Sequence, residues 1–237
     1  MNIVKHIPNF LTCLNLICGM AGIYYVLGGN LFYGAYFIFA AAVLDFLDGF
    51  VARLLNAYSE IGKQLDSLAD LVTFGVLPAF IVFTLLQDIF PGSYLPFLAF
   101  FIGTQSAIRL AKFNIDTRQS DRFIGVPTPA NGLLISTLPF MAERFLWAES
   151  LLANGWFLLA FSFFFALLMT AELPLIALKF KNFGFKDNKY RYLTIAISLL
   201  CVLILGMGGV PLAIISYVGL SVVENLENRN VQNKELI

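Results

Sequence analysis

Histidine and cysteine are scarce in this chain, and their scarcity excludes several kinds of chemistry. The only histidine is His6, so a catalytic centre built on imidazole has almost no material. The three cysteines, Cys13, Cys18 and Cys201, lie within apolar runs without C-x-x-C spacing, which indicates neither a disulfide framework nor a zinc site. Charged residues make up only 13% of the chain, and the net charge of 0 by itself says nothing about nucleic acid. We expect no nucleic-acid partner.

Apolar residues are abundant instead. They form 59% of the sequence, the mean hydropathy is +0.81, and apolar runs close to the length of a membrane span recur throughout. We predict an all-α fold, a polytopic transmembrane bundle of about eight spans that forms a single integral-membrane domain over residues 1–237. The predicted spans cover residues 9–28, 31–54, 64–88, 94–114, 128–148, 152–178, 190–206 and 208–225.

The distribution of lysine and arginine predicts the topology. The turns that lack both are those near Gly28–Asn30, Asp88–Ser93, Glu149–Asn154 and Gly206–Gly209. Of the 15 basic residues, all except Arg144 fall on the opposite side, which is the cytoplasmic side by the positive-inside rule. We therefore predict a multi-pass protein of the cell membrane with both termini in the cytoplasm. Lys5 leads into an apolar run without a small-residue cleavage site, so we predict no removable signal.

One window, residues 45–70, holds four of the chain's aspartates. Two sets of residues share helix faces there: Asp45, Asp48, Gly49 and Ala52 in the second span, and Gly62, Asp66 and Asp70 in the third. The predicted topology puts both sets near the cytoplasmic ends of their spans. We therefore expect the two carboxylate pairs to face each other just inside the membrane boundary.

Carboxylates inside a span are costly and usually functional. Arg53 and Lys63 lie too far along their helices to neutralise four of them, so divalent metal ions are the simpler explanation. Oxygen ligands suit Mg²⁺, Mn²⁺ or Ca²⁺, and two such ions would hold a diphosphate. Gly49 and Ala52 leave room for it to approach. The alternative is a set of helix-packing aspartates with no chemistry.

The pattern Asp45-x-x-Asp48-Gly49-x-x-Ala52-Arg53, eight residues, Gly62-x-x-x-Asp66-x-x-x-Asp70 resembles the signature of the CDP-alcohol phosphotransferases. The resemblance implies transfer of a phosphatidyl or similar group from a CDP-linked donor to an alcohol, with release of CMP. It implies two ions of Mg²⁺ or Mn²⁺, which Ca²⁺ can replace in a structure. The roles it implies are metal ligands at Asp45, Asp48 and Asp66, a general base that is also a ligand at Asp70, and donor contacts at Gly49, Ala52, Arg53 and Gly62.

The first apolar run begins with a second motif. Pro8, Asn9, Thr12, Asn15 and Gly19 are similar to the P-N-x-x-T-x-x-N-x-x-x-G of bacterial and archaeal phosphatidylserine synthases, a branch of the same family. We predict that the side chains of Asn9, Thr12 and Asn15 bind the cytidine or a diphosphate oxygen of the donor. The alternative is a helix cap at Asn9 and hydrogen bonds between helices at the other two.

A third motif bears on the acceptor. The segments 109–114 and 123–130 resemble the R-x-A-R-F-N and F-x-G-L-P-x-P-A of that branch, with Lys112 in place of arginine and Val126 in place of leucine. Serine carries a carboxylate, and the guanidinium group of arginine forms two parallel hydrogen bonds with a carboxylate. We therefore predict that Arg109, Lys112 and Asn114 hold serine. Arg109 would alternatively neutralise the aspartates, and Lys112 would alternatively be an ordinary cytoplasmic charge.

The resemblance thus implies metal-dependent transfer of a phosphatidyl group from CDP-diacylglycerol to L-serine within membrane lipids, by a chain that forms a homodimer. Two alternatives stay open. The first is another enzyme of the family, acting on glycerol phosphate, inositol phosphate or an archaeal lipid. The second is a cation transporter with carboxylates along its ion path, although such sites lie nearer the membrane midplane.

Overall fold

The computed structural model of the chain describes residues 6–116, 123–177, 184–185 and 188–235. Helices dominate this part of the chain, with one short pair of strands. The α-helices are α1 Ile7–Leu27, α2 Leu31–Leu54, α3 Glu60–Asp70, α4 Leu77–Ile89, α5 Phe101–Ile115, α6 Thr128–Ser136, α7 Leu138–Arg144, α8 Leu146–Leu152, α9 Gly155–Thr170, α10 Lys189–Leu205 and α11 Val210–Glu235. A π-helix covers Leu71–Val76, and 3₁₀-helices cover Leu95–Phe100 and Gly206–Gly209.

Helices α1 and α2 form a hairpin at the start of the fold. Gly29 has a φ of 83°, which lets the chain reverse, and the side chain of Asn30 caps α2 by accepting from the Tyr33 N–H at 3.3 Å. On the inner face of α1, a Cβ on Gly19 would come within 2.5 Å of the Thr73 hydroxyl oxygen. The absence of a side chain at Gly19 is therefore what lets α1 pack against the helix that carries the second aspartate pair.

That helix is continuous from Glu60 to Ile89, but it changes its winding in the middle. Ser59 caps its start by accepting from the Gly62 N–H at 3.0 Å. Directly after Asp70 the helix widens into the π-helix, where the Leu77 N–H bonds to the carbonyl of Val72, five residues back. Such single wide turns inside an α-helix are frequent at functional sites.

Four helices of the described residues are long and apolar enough to cross a membrane, or five if the bent pair α8 and α9, which meet at 87°, forms one span. The fourth of these stretches, Lys189–Asn228, folds back on itself. The Lys189 ammonium at its beginning lies 2.7 Å from a carboxylate oxygen of Glu227 near its end. The structure supports an all-helical protein with several membrane helices. The full set of eight spans, the orientation of the termini and the single domain over residues 1–237 stay predictions.

The sixth predicted span, residues 152–178, differs from the structure. Helix α9 ends at Thr170, because Pro174 cannot donate a backbone hydrogen bond and disfavours helical geometry in the residue before it. The chain continues instead as β2, Pro174–Leu175, which pairs antiparallel with β1, Phe123–Ile124. This pairing lays the segment before α6 against the segment after α9.

Two groups of buried apolar residues fill the interior. The larger group joins α4 to α9 and includes Leu134, Ile135 and Met169. The smaller lies between α1, α2 and the Glu60–Ile89 helix and includes Phe74 and Ile38. Together they fix the depth of the polar residues described next.

Candidate active site

The ends of α2 and α3 bring three carboxylates together. One oxygen each from Asp45, Asp48 and Asp66 lies within 4.8 Å of the others. Asp48 is buried, and Asp45 and Asp66 are partly buried. Three anions at this spacing repel one another strongly in a medium of low dielectric constant, so the cluster needs a compensating positive charge.

The donor set of this cluster fits a hard divalent cation. All three residues offer carboxylate oxygens, which are the ligands that Mg²⁺ and Mn²⁺ prefer. The Oδ1 atom of Asp66 is buried and accepts no hydrogen bond from any residue that the structure describes. A buried carboxylate oxygen without a donor is expensive unless a cation is its partner.

Asp70 is buried like Asp48 and lies beside Asp45, but it is not part of the set of three whose oxygens are all close together. Its side chain is 8% exposed, and Oδ1 accepts a hydrogen bond from the Asn15 amide nitrogen at 3.4 Å. The buried guanidinium of Arg109 on α5 is attracted by its charge. The fourth aspartate therefore contacts Asn15 of α1 as well as Asp45 of α2, and its charge attracts Arg109 of α5.

Helix α1 contributes hydrogen bonds to both aspartate pairs. The Thr12 hydroxyl lies 2.6 Å from Oδ2 of Asp48 and 3.1 Å from the carbonyl oxygen of Pro8. The Thr73 hydroxyl donates to the carbonyl oxygen of Asn15 at 3.1 Å and so fixes the turn of α1 that faces Asp70. Thr12 and Asn15 thus make the hydrogen bonds between helices that the sequence left open as an alternative to donor contacts.

A cavity of about 560 Å³, called here the aspartate cavity, opens beside the cluster. Its lining includes Asp48 and Asp66 together with five residues predicted to contact the donor: Asn9, Thr12, Gly49, Ala52 and Gly62. A Cβ on Gly49 would have no atom within 4 Å, so this position faces open space. A Cβ on Gly62 would instead lie 2.8 Å from the side-chain oxygen of Asn9.

Arg53, which the sequence also assigned to the donor, lies apart from this lining. It is exposed in the last turn of α2. Its role as a donor contact stays a prediction.

A second cavity of about 340 Å³, called here the arginine cavity, lies between α5 and the chain that follows α9. Arg109 and Lys112 line it, as the sequence predicted for an acceptor site. Arg109 is 6% exposed, and its guanidinium carbon lies 5.0 Å from the centre of the Phe113 ring. Its burial near Asp70 also matches the alternative in which it neutralises the aspartates.

Asn114 is not among the residues that line the arginine cavity. Its side-chain amide donates to the Ser67 hydroxyl at 2.8 Å, and its carbonyl oxygen accepts from the Lys63 ammonium at 3.0 Å. Both contacts fasten the end of α5 to α3, the helix of the second aspartate pair. These contacts favour a positioning role for Asn114.

Sequence reasoning missed the far wall of the arginine cavity, which consists of Met169, Thr170, Ala171 and Glu172. The predicted continuation of the helix to residue 178 hid this wall. Gly125 lets the chain before α6 approach this wall closely. Its φ is +74°, and a Cβ there would collide with the carbonyl oxygen of Met169 and come within 3.1 Å of that of Ala171. The F-x-G segment carried the only signal for this contact.

The fold and the site together define a class of protein: a helical membrane protein with an acidic centre between two adjacent helices, whose carboxylate oxygens fit a divalent cation, and open cavities beside it. The sequence model of the CDP-alcohol phosphatidyltransferases matches residues 5–168. The chain belongs to this family.

The chain is also similar to individual proteins named CDP-diacylglycerol–serine O-phosphatidyltransferase. That of Bacillus subtilis (strain 168) is 39% identical over 141 residues, which cover 58% of this chain and 77% of that protein. That of Helicobacter pylori (strain J99) is 37% identical over 144 residues, 60% of each chain. That of Mycobacterium tuberculosis (strain H37Rv) is 33% identical over 159 residues, 64% of this chain and 54% of the relative.

Proposed function

We propose that this chain transfers the phosphatidyl group of CDP-diacylglycerol to L-serine, yielding phosphatidylserine and CMP. The observation that carries the proposal is the cluster of Asp45, Asp48 and Asp66, which opens onto a cavity large enough for a polar headgroup. Membership of the family and the printed names of the relatives support the same reaction.

The aspartate cavity is the proposed place of the donor's diphosphate and nucleotide. Gly49, Ala52 and Gly62 keep its wall free of bulk, and Asn9 and Thr12 supply polar groups at its edge. Since α2 is exposed along much of its outer face, the acyl chains of the donor would stay in the lipid while its headgroup enters the cavity.

Asp45, Asp48 and Asp66 would hold Mg²⁺ or Mn²⁺. A divalent ion bound there would neutralise the carboxylates and the negative charge of the diphosphate. The unpartnered oxygen of Asp66 supports this role. Asp70 as a further ligand, and a second ion, stay predictions.

Asp70 is the proposed general base. It takes the proton from the serine hydroxyl as the serine oxygen forms a bond to the phosphorus of the phosphatidyl group. The bond from that phosphorus to the bridging oxygen of the diphosphate breaks, and CMP leaves. Burial and the hydrogen bond from Asn15 would hold the Asp70 carboxylate in one orientation for this transfer.

The arginine cavity is the proposed acceptor site. Arg109 would pair with the serine carboxylate, with Lys112 nearer the mouth, because Arg109 is the buried one of these two cations. The attraction between Arg109 and Asp70 supports the idea that the acceptor's hydroxyl and carboxylate are recognised close together.

Location and assembly complete the proposal. The membrane helices support a multi-pass protein of the cell membrane, and the excess of basic residues on one side supports an active site on the cytoplasmic face. The homodimer stays a prediction from the family resemblance.

One assay tests the proposed function. Purified protein in detergent micelles with CDP-diacylglycerol is given L-serine, glycerol 3-phosphate or inositol phosphate, and CMP release is measured with Mg²⁺, with Mn²⁺ and with a chelator. We expect release only with serine and a divalent ion. Release with another alcohol and none with serine would reassign the chain within the family, and no release with any alcohol would contradict transferase activity.

A further inference from the structure

The two walls of the arginine cavity carry opposite charges. Helix α5 provides the cations Arg109 and Lys112, one turn apart. The segment after α9 provides Thr170 and the carboxylate of Glu172. A cavity for a simple anion would have no need of a carboxylate on its far wall, since an acidic group there weakens anion binding.

The wall that carries Glu172 is held firmly. The Gly125 N–H donates to the carbonyl oxygen of Leu173 at 2.9 Å, and the Val126 N–H donates to that of Leu168 at 3.0 Å. The Thr170 hydroxyl lies 2.9 Å from the side-chain oxygen of Gln105 on α5. These bonds bracket residue 172 on both sides, so its backbone has a fixed place opposite the cations.

We propose that Glu172 binds the ammonium group of the acceptor while Arg109 binds its carboxylate, so that the arginine cavity selects a zwitterionic hydroxy amino acid. This inference rests on the proposed function, which makes the cavity the acceptor site. It adds Glu172 as the residue that recognises the ammonium group of the acceptor. Serine carries its two charges on one carbon, and a cavity with walls of opposite sign orients such a molecule in a single direction.

Asp116 is the other carboxylate in the lining, but its position differs from that of Glu172. It follows directly on α5 and lies on the same wall as Arg109 and Lys112, beside these cations and not opposite them. Glu172 faces that wall from the other side. The geometry therefore assigns the ammonium to Glu172.

The test compares L-serine with two analogues, each of which lacks one charge: glycerate, with a hydroxyl in place of the ammonium, and ethanolamine, without the carboxylate. CMP release is measured for the wild type and for Glu172→Gln, with serine and CDP-diacylglycerol varied in turn and glycerate added as a competitor. We expect Glu172→Gln to raise the KM for serine about 10-fold or more, with the KM for the donor unchanged and glycerate binding as well as or better than before. Glu172→Asp should recover part of the preference for serine over glycerate, which a purely structural role would not restore.

The matched control is Glu149→Gln, which removes the same charge from an exposed position in the first turn of α8, outside this cavity. It should leave all constants unchanged. The inference is overturned, with the proposed function intact, if Glu172→Gln keeps the wild-type preference for serine over glycerate, or if only Asp116→Asn loses that preference. If the wild type itself releases CMP with another alcohol and not with serine, both are overturned.

Discussion

The amide nitrogen of Asn15 lies 3.4 Å from Oδ1 of Asp70 and joins the first helix of the fold to a buried aspartate of the site. Asn15 is fully buried, and its own carbonyl oxygen accepts a bond from the Thr73 hydroxyl one turn beyond that aspartate. Helix α1 is therefore hydrogen-bonded at two points to the part of the neighbouring helix around Asp70. This relationship favours a role for Asn15 in placing the Asp70 carboxylate, where the sequence predicted a contact with the donor.

We predict that Asn15→Leu lowers kcat by about 10- to 100-fold with little change in the KM for CDP-diacylglycerol, because the carboxylate loses the donor that orients it. Steady-state kinetics with each substrate varied in turn measures this. Asn154→Ala serves as a control, since it removes the capping side chain of α9 and should lower the melting temperature without changing kcat. A rise in donor KM with kcat preserved would return Asn15 to the donor site.

A second prediction concerns the metal centre. Asp45→Asn, Asp48→Asn and Asp66→Asn should each reduce turnover by roughly 100-fold or more, because each removes an anionic ligand from the cluster. CMP release is measured across a titration of Mg²⁺ or Mn²⁺. Asp88→Asn, an exposed aspartate at the end of α4, is the matched control and should behave as wild type. Near-normal turnover of any cluster variant at limiting metal would rule out its assignment as a ligand.

The aspartate cavity gives a steric prediction. Gly49→Leu should abolish activity without unfolding the protein, because its side chain would fill the space proposed for the donor. Gly219 on α11 offers a matched control, since a Cβ at either glycine would meet no atom within 4 Å. Gly219→Leu should stay active, and both variants should elute as folded protein on size exclusion. Tight binding of CDP-diacylglycerol by folded Gly49→Leu would contradict the placement of the donor.

Arg109 gives a prediction about the acceptor. Arg109→Ala should reduce kcat/KM for serine by about 30- to 1000-fold and raise the KM for serine far more than that for the donor, because a buried charge-assisted pair is lost. Arg109→Lys should recover only part of this loss, since an ammonium cannot form the two parallel bonds of a guanidinium. Kinetics with both substrates varied distinguishes the alternatives. Loss of donor affinity instead would place Arg109 at the diphosphate.

Gly125 gives a prediction about the cavity wall. Gly125→Ala should destabilise the protein by about 1–3 kcal/mol, because a positive φ is strained for alanine and its Cβ would collide with the backbone at Met169. It should also raise the KM for serine by displacing the wall that carries Thr170. Gly103→Ala, where the nearest atom is 3.9 Å from the added Cβ, is the control. Thermal unfolding in detergent and serine kinetics measure the two effects, and unchanged serine KM in folded Gly125→Ala would separate this wall from the acceptor site.

The sequence predicted the aspartate centre well, for a physical reason. Spacing of three, four and eight residues on a helix fixes a shared face, so Asp45 and Asp48, and likewise Asp66 and Asp70, had to lie together once both stretches were helical. The short polar turn between the two spans then left few ways to arrange them. The sequence could not predict that only three of the four aspartates bring an oxygen within 4.8 Å of one another, because helix spacing does not fix distances between atoms on different helices.

Contacts between residues far apart in the chain could not be predicted from the sequence. Asn114 was predicted to hold serine, yet its amide reaches Ser67, a partner that no local spacing indicates. The wall at Thr170 and Glu172 depends on a break before Pro174 that hydropathy alone does not reveal, because the apolar character continues past it. Arg53 occupies a position of the signature motif, but the motif alone does not indicate that this side chain is exposed in the last turn of α2.

The π-helix after Asp70 makes the two halves of the Glu60–Ile89 helix differ in phase. Each residue of an α-helix turns the following side chains by about 100°, and the wide turn at Leu71–Val76 changes that count locally. Removing one residue from this turn would restore even winding but rotate Asp66 and Asp70 away from the cluster and from Asn15, while α4 kept its packing. A single deletion there would thus leave a protein that still inserts and packs its apolar half, with its carboxylates facing the wrong way.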